Sequence, residues 1–516
     1  MKRRTVRGRF GGPLALALAL LVLGSGCTVG PDYLRPSMIS PDAYKELDGW
    51  KIANPRDGLA RGSWWEIFAD PQLNALEARV SISNQNLVVA EAQYRQARAL
   101  LREARAAYFP TVTLGLGYTR SRQSTTFSVG SGGTSSTGTS AGGASSAGGT
   151  SGSSGQPRSD FEVALDFSWE LDVWGRIRRT VESNRASAQA SAGDLETARL
   201  SFQAELAQDY FQLRTVDAQK QLLDETVSAF EKFLRLTQDR FANGVASQAD
   251  VVQAETQLKT TQAQAIDVGV QRAQLEHAIA ILMGQAPSSF SLPPTPLTAT
   301  PPAIPIGVPS ELLERRPDIA AAERRVAAAN AQIGVAVAAF YPTITLNASS
   351  GLESSSLAKW FTAASRFWSV GPGISQTVFD GGLRRAQTDA ARAGYDATVA
   401  TYRQTVLAAF QGVEDNLAAL RILEAENAVQ DEAVKAARKS VDLTTNQYKA
   451  GTVSYLNVIT AQTIALADEI TAIQIGGRRM AAAVLLVQAL GGGWKAADLP
   501  SPADVTTRQA PAPTAP

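Results

Sequence analysis

The chain has 516 residues, with 49 basic and 48 acidic side chains, so its formal net charge is +1. This balance argues against a nucleic-acid-binding protein, which would carry a basic excess. The chain has one Cys (Cys27) and one His (His277), which excludes a disulfide framework and most zinc sites. Because a His-based catalytic triad would depend on His277 alone, we expect neither an enzyme nor a metal or cofactor site.

The first 26 residues have the pattern of an export signal. Basic side chains are frequent among the first nine residues, and Leu14–Leu23 is an apolar core too short to span a bilayer. Small residues then lead to Cys27, which resembles a lipoprotein signal, although Gly24 replaces the usual apolar residue three positions before the cysteine. We predict a signal peptide over 1–26 and lipid attachment at Cys27, which would hold the chain at a membrane surface. An ordinary export signal with an incidental cysteine is the alternative.

A helix and two strands follow. Asp70 before Pro71 is a favourable helix start, and it predicts a helix from Pro71 to about Tyr108. Residues 112–118 and 161–171 then alternate apolar side chains with small, polar or acidic ones, which indicates strands with one apolar face. Strands of this kind are typical of a transmembrane β-barrel, and a soluble sandwich is the alternative.

The segment between the two strands is predicted to be a loop, and the segment after them a long helix. Residues 130–155 are only Gly, Ser, Thr and Ala, so they have no apolar surface to bury and are expected to form a loop. Residues 176–241 contain no Pro and one Gly, which predicts a single helix of about 65 residues. Its apolar residues follow coiled-coil spacing, as in Leu206, Leu213, Val227, Leu234 and Phe241. A turn at Asn243-Gly244 and an outgoing helix over 246–283 complete this half.

The remainder of the chain repeats this order of elements. From Leu206 onward, residues match others 207 positions later, as Leu213 matches Leu420. Upstream the separation is 232, as between Pro110 and Pro342, so the first copy has 232 − 207 = 25 extra residues before Gly175. Such internal repetition predicts two copies of one structural unit.

The boundaries follow from this repeat. We predict an anchoring N-terminal segment (27–70), a first repeat (71–286) with its hairpin at about 110–172 and its helical tip at about 241–250, and a Pro-rich linker (287–309). We predict a second repeat (310–494) with its hairpin at about 342–379 and its tip at about 448–457, and a disordered tail (495–516).

Strand number points to an oligomer. Four strands cannot close a membrane barrel, because single-chain barrels begin at 8 strands and an unpaired strand edge is costly in a bilayer. Two chains would give a filled barrel and three would leave a passage, and the pattern does not choose between them. The predicted fold class is mixed α and β, with an oligomeric β-barrel continued by a helical coiled-coil barrel.

Three segments resemble the TolC/OprM family of outer-membrane efflux proteins, in its lipoprotein (NodT-type) branch. They are CTVGPDYLRP at 27–36, WWEIFADPQLN at 64–74 and LLERRPDIAAAER at 312–324. The resemblance implies a homotrimer with four barrel strands per chain, inserted in outer-membrane lipid and extending into the periplasm. It also implies a passive exit duct for drugs or other small molecules, with a periplasmic adaptor (membrane fusion protein) and an inner-membrane RND pump as partners.

The same resemblance places a gate at the helical tips, with Asp250, Tyr448 and Asn457 at the constriction. Relatives often have aspartate at the position of Asn457 and one type has arginine at that of Val453, so fewer charges are expected here. Three copies of Asp250 would favour cations. The alternative for Asp250 and Asn457 is a helix-start role that satisfies free backbone N–H groups. The residues expected to contact the adaptor are Gly244, Val245, Ser247, Gly451, Thr452 and Ser454.

Two other functions remain open at this point. One is the outer-membrane duct of a type I protein secretion system, which neighbouring genes for an ABC transporter and its protein substrate would indicate. The other is a non-conducting envelope scaffold lipoprotein, which would give no conductance in a bilayer and has no use for the strand at 161–171.

Overall fold

The structure is a computed structural model that describes residues 28–38, 41, 43–46, 63–122, 157–304 and 312–506. Cys27, the predicted signal peptide and the 130–155 tract lie outside the described residues. The chain divides into two units. The described residues of the sheet unit lie within Met1–Gly30, Glu103–Val181 and Gly334–Asp389, and those of the helical unit lie within Pro31–Arg102, Glu182–Ile333 and Ala390–Pro516.

The elements repeat in order and in length. The helices are α1 (Pro71–Ser83), α2 (Gln85–Ala106), α3 (Arg176–Ala242), α4 (Gln248–Leu282), α5 (Leu312–Arg315), α6 (Pro317–Ala338), α7 (Leu383–Lys449) and α8 (Tyr455–Ala489). The strands are β1 (Thr111–Ser121), β2 (Arg158–Leu171), β3 (Thr343–Ser354) and β4 (Arg366–Ser375). Helices α3 and α7 each have 67 residues, and α4 and α8 each have 35. The predicted repetition of elements is therefore confirmed, and the fold is mixed α and β.

The first predicted helix is wrong in one respect, because the chain forms two helices there instead of one. Asp70 caps α1 as expected, with its Oδ1 accepting from the N–H groups of Gln72 and Leu73 at 2.9 and 3.2 Å. The helix then stops at Asn84, whose backbone is extended and whose Oδ1 accepts from Asn86 and Leu87. Asn84 thus acts as the N-cap of α2, a role for which asparagine is well suited.

The four strands form one antiparallel sheet in the order β1-β2-β3-β4. The register places Leu114 opposite Leu165, which lies opposite Ser350. Because side chains alternate between the faces of a sheet, this register collects the apolar residues on one face. That apolar face includes Val112, Leu114, Leu116, Tyr118, Phe161, Val163, Leu165, Phe167, Ile344, Leu346, Val370 and Ile374.

The opposite, polar face carries small, hydroxyl and acidic side chains. It includes Thr113, Gly115, Gly117, Glu162, Asp166, Glu170, Asn347, Ser349, Glu353, Ser369 and Gly371. β1 is exposed along its whole length, so none of the residues that the structure describes covers its apolar side chains. The alternation predicted from the sequence is confirmed, and an uncovered apolar face suits contact with lipid.

Aromatic side chains lie at both ends of the sheet. At the loop end, where β1 connects to β2 and β3 to β4, Tyr118 and Phe161 have ring centroids 4.8 Å apart, and Phe161 and Trp360 are 5.8 Å apart. At the helix end, where the strands connect to helices, Trp174 stacks on Tyr341 at 4.8 Å. Two aromatic belts flanking an apolar band are the mark of a strand that crosses a bilayer.

The helical unit has a hydrophobic core of its own. The predicted coiled-coil positions Leu206 and Leu213 are fully buried, as is Leu223 of the same helix. Within the described residues, α8 is long and apolar enough to cross a membrane by length and composition, but 44% of its apolar stretch is buried. Its Met480, Val484 and other side chains pack into the core, which accounts for its apolar composition.

A buried ion network fixes the linker to the helices of this unit. Asp217 accepts from Arg214 at 2.9 Å and from Arg272 at 2.8 Å. Its carboxylate also accepts from the backbone N–H of Thr295 at 3.0 Å, while Arg272 donates to the carbonyl of Leu292 at 2.7 Å. Charges this deeply buried are tolerated because each side of the network is paired and hydrogen-bonded.

Candidate functional site: the helical tips

Two tight turns join the long helices to the outgoing ones. Gly244 follows α3 and Gly451 follows α7, with φ of 75° and 77°. Open space surrounds the position of a Cβ at both glycines, so the left-handed backbone, not crowding, is what requires glycine there. These two turns and the first turns of α4 and α8 make up the segments that the sequence analysis named as helical tips, and that name is kept here.

Ser247 and Asp250 form a capping box at the start of α4. The Ser247 N–H donates to Asp250 Oδ2 at 2.9 Å, and the Asp250 N–H donates to Ser247 Oγ at 3.2 Å. This pairing satisfies two backbone donors at the helix start. Asp250 thus has the helix-start role that the sequence offered as an alternative, and its side chain is half-buried.

The second tip has a different helix start. Ser454 is the N-cap of α8, but its side chain makes no capping hydrogen bond. The Asn457 N–H donates to the Ser454 carbonyl at 3.2 Å, and the Asn457 side chain is exposed. The exposed Thr452 bonds the end of α7 instead, with its hydroxyl donating to the carbonyl of Gln447 at 3.0 Å.

Tyr448 lies in an aromatic cluster within one protomer. Its side chain is only 4% exposed and packs beside Phe233 of α3 and Tyr455 of α8, with ring centroids 6.0 and 5.5 Å away. Phe233 and Tyr455 stack at 5.4 Å. The equivalent residue of the first repeat, Phe241, is 46% exposed, so the repeat symmetry does not extend to these side chains.

Arg240 joins the two tips through this cluster. Its guanidinium carbon lies 4.8 Å from the Tyr448 ring centroid, a cation–π geometry. Its Nη1 donates to the Lys449 carbonyl at 3.3 Å, while its own carbonyl accepts from Val245 N at 2.8 Å. Arg240 therefore contacts the end of α7 and the turn after α3.

The polar atoms inside the cluster are unusual. Tyr448 Oη and Arg240 Nε are buried with no hydrogen-bond partner among the described residues. Burial, together with Tyr448 and the nearby Asp250 carboxylate, raises the pKa of the Tyr455 phenol well above its ordinary value. Because its Oη has no partner in the part of the chain that the structure describes, Tyr448 contributes to the protomer through the packing of its ring and not through a hydrogen bond from its hydroxyl.

Sequence reasoning assigned Asp250, Tyr448 and Asn457 to the tips. It did not single out three residues of the aromatic cluster there: Arg240, Phe233 and Tyr455. A signal for Tyr455 was present, because it follows Tyr448 by seven residues across the turn. Arg240 and Phe233 gave no such signal, since their contact with the second tip depends on tertiary packing between residues about 200 positions apart.

Acidic residues form a second group on the polar face of the sheet. Glu162 lies directly opposite Glu353, which the sequence reasoning missed, and Asp166 follows on the same face four residues later. Glu170 is paired with Arg176 at 2.6 Å. Among the described residues, no group of three or more His, Cys, Asp or Glu side chains is arranged to hold a metal ion.

Comparison with known proteins gives consistent matches over most of the chain. The family model described as outer membrane efflux protein matches residues 78–285 and 308–492. The chain is 28% identical to the cation efflux system protein CusC of Escherichia coli O6:H1, covering 94% of this chain and 98% of CusC. It is 30% identical to the pyoverdine export outer membrane protein OpmQ of Pseudomonas aeruginosa, covering 93% and 97%.

Solved structures agree with the sequence matches. The structure of the outer-membrane channel OprN superimposes with a TM-score of 0.80 at 30% identity, covering 91% of this chain and all of that one. The open state of the MtrE channel of Neisseria gonorrhoeae gives a TM-score of 0.75 at 26% identity, with 91% and 99% coverage.

Proposed function

Since the chain belongs to the outer membrane efflux protein family, we propose that it is the trimeric exit duct of a tripartite efflux system for small molecules. Like its relatives, it is an outer-membrane efflux channel that extends into the periplasm. The observation that carries the proposal is the sheet, which has one apolar and one polar face in a chain that also has paired 67-residue helices.

The proposed stoichiometry rests on the two free edges of the sheet. β1 and β4 each have one edge that pairs with no strand among the described residues. Backbone groups at such an edge cannot remain unpaired in lipid. Three copies of a four-stranded sheet close a 12-stranded barrel, which is wide enough for a passage, whereas two copies would give a filled one.

The proposed partners are a periplasmic adaptor and an inner-membrane RND pump. The tips offer exposed surface for the adaptor at Gly244, Val245, Ser247, Gly451, Thr452 and Ser454. The names of similar relatives refer to cations, pyoverdine and toluene, at 28 to 31% identity to this chain. Because similar ducts serve such different compounds, we propose that this chain passes small molecules as a class. In this proposal the pump, and not the duct, selects the substrate.

Lipid attachment at Cys27 belongs to the same proposal. The residues that follow it are held at the helix end of the sheet, where Val29 N donates to the Trp174 carbonyl at 3.2 Å. Gly30 has φ of 96°, and a Cβ there would lie 2.5 Å from the Cα of Gly334. This close packing places the chain beside the aromatic belt of Trp174, which is where an acyl anchor would enter the bilayer.

The experiment is a susceptibility panel on a strain that lacks the gene, with complementation by the wild-type chain. We expect increased sensitivity to at least one class of small compound, restored by the complementing copy. Unchanged susceptibility to every compound, with loss of a secreted protein instead, would indicate a type I secretion duct. Absence of conductance in planar bilayers would indicate the scaffold.

Asp250 supplies a finer test of the gate. If three copies line the constriction, Asp250→Asn lowers the preference for cations, measured as a shifted reversal potential in a planar bilayer under a salt gradient. Ser247→Ala is the matched control, because it breaks the same capping box without removing a charge. A reversal potential that Asp250→Asn leaves unchanged would exclude this role.

A further inference from the structure

Basic residues are confined to one end of the sheet. The four strands contain three of them, Arg120, Arg158 and Arg366, and each lies within two residues of the loop end. Acidic residues, by contrast, follow β2 from Asp160 to Glu170. Positive charge within the strands is thus localised where the hairpins turn, beside the aromatic belt of Tyr118 and Phe161.

Two of these arginines lie on the apolar face. Arg120 follows Tyr118 by two residues, and Arg366 lies opposite Leu352 and precedes Trp368 by two. Since side chains two apart in a strand share a face, both guanidinium groups point to the same side as the lipid-facing residues. Arg158 lies opposite Ser121 and shares the polar face with Asp160.

Neither arginine is paired with an acidic side chain in the part of the chain that the structure describes. Both are exposed, and no ion pair to either is present among the described residues. Lys359, in the turn between β3 and β4, is also exposed. Placing free cations on the face that meets lipid is costly at the bilayer centre, but it is favourable at the level of charged headgroups.

The two strands concerned are the edges of the sheet. If the chain is the trimeric barrel proposed above, β4 of one protomer pairs with β1 of the next. Arg366 and the neighbouring Arg120 then lie at the same end and on the same outer face of that seam. Each seam would present two guanidinium groups nearer the loop end than the exposed Trp368 and Tyr118, and the trimer would have three such seams.

We propose that each seam binds the phosphate groups of a phosphorylated glycolipid in the outer leaflet of the outer membrane. Guanidinium groups bind phosphate through paired hydrogen bonds, which suits two arginines on adjacent strands. The aromatic side chains mark the interfacial depth, so the charges at the next pleat meet headgroups instead of acyl chains. Charge complementarity and depth together select a lipid phosphate on the outside of the barrel.

Titration of full-length protein in detergent with diphosphoryl lipid A, followed by native mass spectrometry, tests this proposal. Each Arg→Gln change at Arg120 or Arg366 should weaken binding roughly fivefold, and the double variant roughly 25-fold. Arg158→Gln is the matched control, because it removes the same charge from the same end of the sheet but from the polar face. Lipid A stripped of its phosphates should bind the wild type as weakly as diphosphoryl lipid A binds the double variant. Inorganic phosphate at the same concentrations should not displace diphosphoryl lipid A from the wild type.

The outcomes separate this inference from the function on which it depends. A double variant that remains trimeric and conducting with wild-type lipid affinity overturns the lipid site and leaves the duct intact. An equal loss of binding in Arg158→Gln also overturns it, since the attraction would then be independent of the face. A wild-type chain that is monomeric in the same spectra overturns the trimeric duct itself.

Discussion

Glu77 is the residue whose environment has the clearest consequence for stability. It lies on α1 with none of its surface exposed, and neither carboxyl oxygen has a hydrogen-bond partner among the described residues. Burial raises its pKa to about 9. At neutral pH the folded chain must therefore hold a protonated carboxyl that the unfolded chain would ionise.

The sign of the pH dependence follows from this shift. Between pH 4.5 and about 9 the folded state binds a proton that the unfolded state releases, so Glu77 lowers stability increasingly as pH rises. At pH 7 the cost is roughly 3 kcal/mol, at ~1.4 kcal/mol per pH unit. Glu77→Gln should remove this dependence, which thermal unfolding from pH 5 to 9 would measure.

The exposed Glu66 offers the control, because Glu66→Gln removes the same group from a solvated position. We expect the Glu77→Gln variant to unfold at nearly the wild-type temperature at pH 5 and at a higher one at pH 8. A difference that stays constant across this range would contradict a buried protonated Glu77.

The helix caps and turns show which structural roles of single residues can be predicted from local sequence. Asp70-Pro71 and the glycines at 244 and 451 act on their own neighbours, so their roles could be predicted from local sequence. Asn84 could have been identified as a cap, but the apolar periodicity continues across it and favours an unbroken helix. The burial of Tyr448 was beyond such reasoning, because Phe233 and Arg240 reach it from the other repeat.

At the scale of elements, the Asp217 network holds the linker against α3 and α4. Asp217→Ala would leave Arg214, whose side chain is 3% exposed, buried without its charge partner. Breaking one side of a buried pair costs about 3–5 kcal/mol. We expect a matching loss in the free energy of unfolding, measured by denaturant titration in detergent.

Asp224→Ala is the natural comparison for this prediction, since Asp224 pairs with Lys220 on the exposed side of the same helix. A surface pair of this kind contributes about 0–1 kcal/mol. Equal losses in the two variants would show that the linker network adds nothing beyond an ordinary ion pair.

The tip cluster makes a second prediction at this scale. Because Tyr448 Oη has no partner in the protomer, Tyr448→Phe should leave tip stability and conductance near wild-type values. Tyr448→Ala should remove the ring that Arg240 and Phe233 contact, at a cost of about 3–5 kcal/mol. Hydrogen exchange at residues 233–241 and 448–458 would report this as faster opening of both tips.

A different result would restore the gate interpretation of Tyr448. If Tyr448→Phe alone raises conductance while hydrogen exchange at the tips is unchanged, the hydroxyl forms a bond that exists only between protomers. The resemblance to the family places Tyr448 at the constriction, and the packing of one protomer requires no bond from its hydroxyl.

At the scale of the whole molecule, the internal repeat determined how much of the fold could be predicted from the sequence. The 207-residue separation predicted paired helices, and the structure gives them equal lengths of 67 and of 35 residues. The strand alternation predicted two faces, which the register of all four strands confirms. The contact between copies of the chain could not be predicted in this way. Edge strands pair through backbone hydrogen bonds, so no side-chain pattern identifies the strand that pairs with them.

The decisive property of the whole molecule is therefore whether the apolar face meets lipid. Leu114 lies near the middle of β1, is 68% exposed, and points away from the polar face. An arginine at this depth on a lipid-facing strand costs about 2–4 kcal/mol, whereas the lumen side tolerates charge. Leu114→Arg should reduce the amount of assembled channel in outer-membrane fractions, while Thr113→Arg, one residue earlier on the polar face, should assemble and alter conductance. A scaffold with an unused, solvent-exposed sheet predicts the same yield for both variants, so the comparison tests membrane insertion through adjacent residues of one strand.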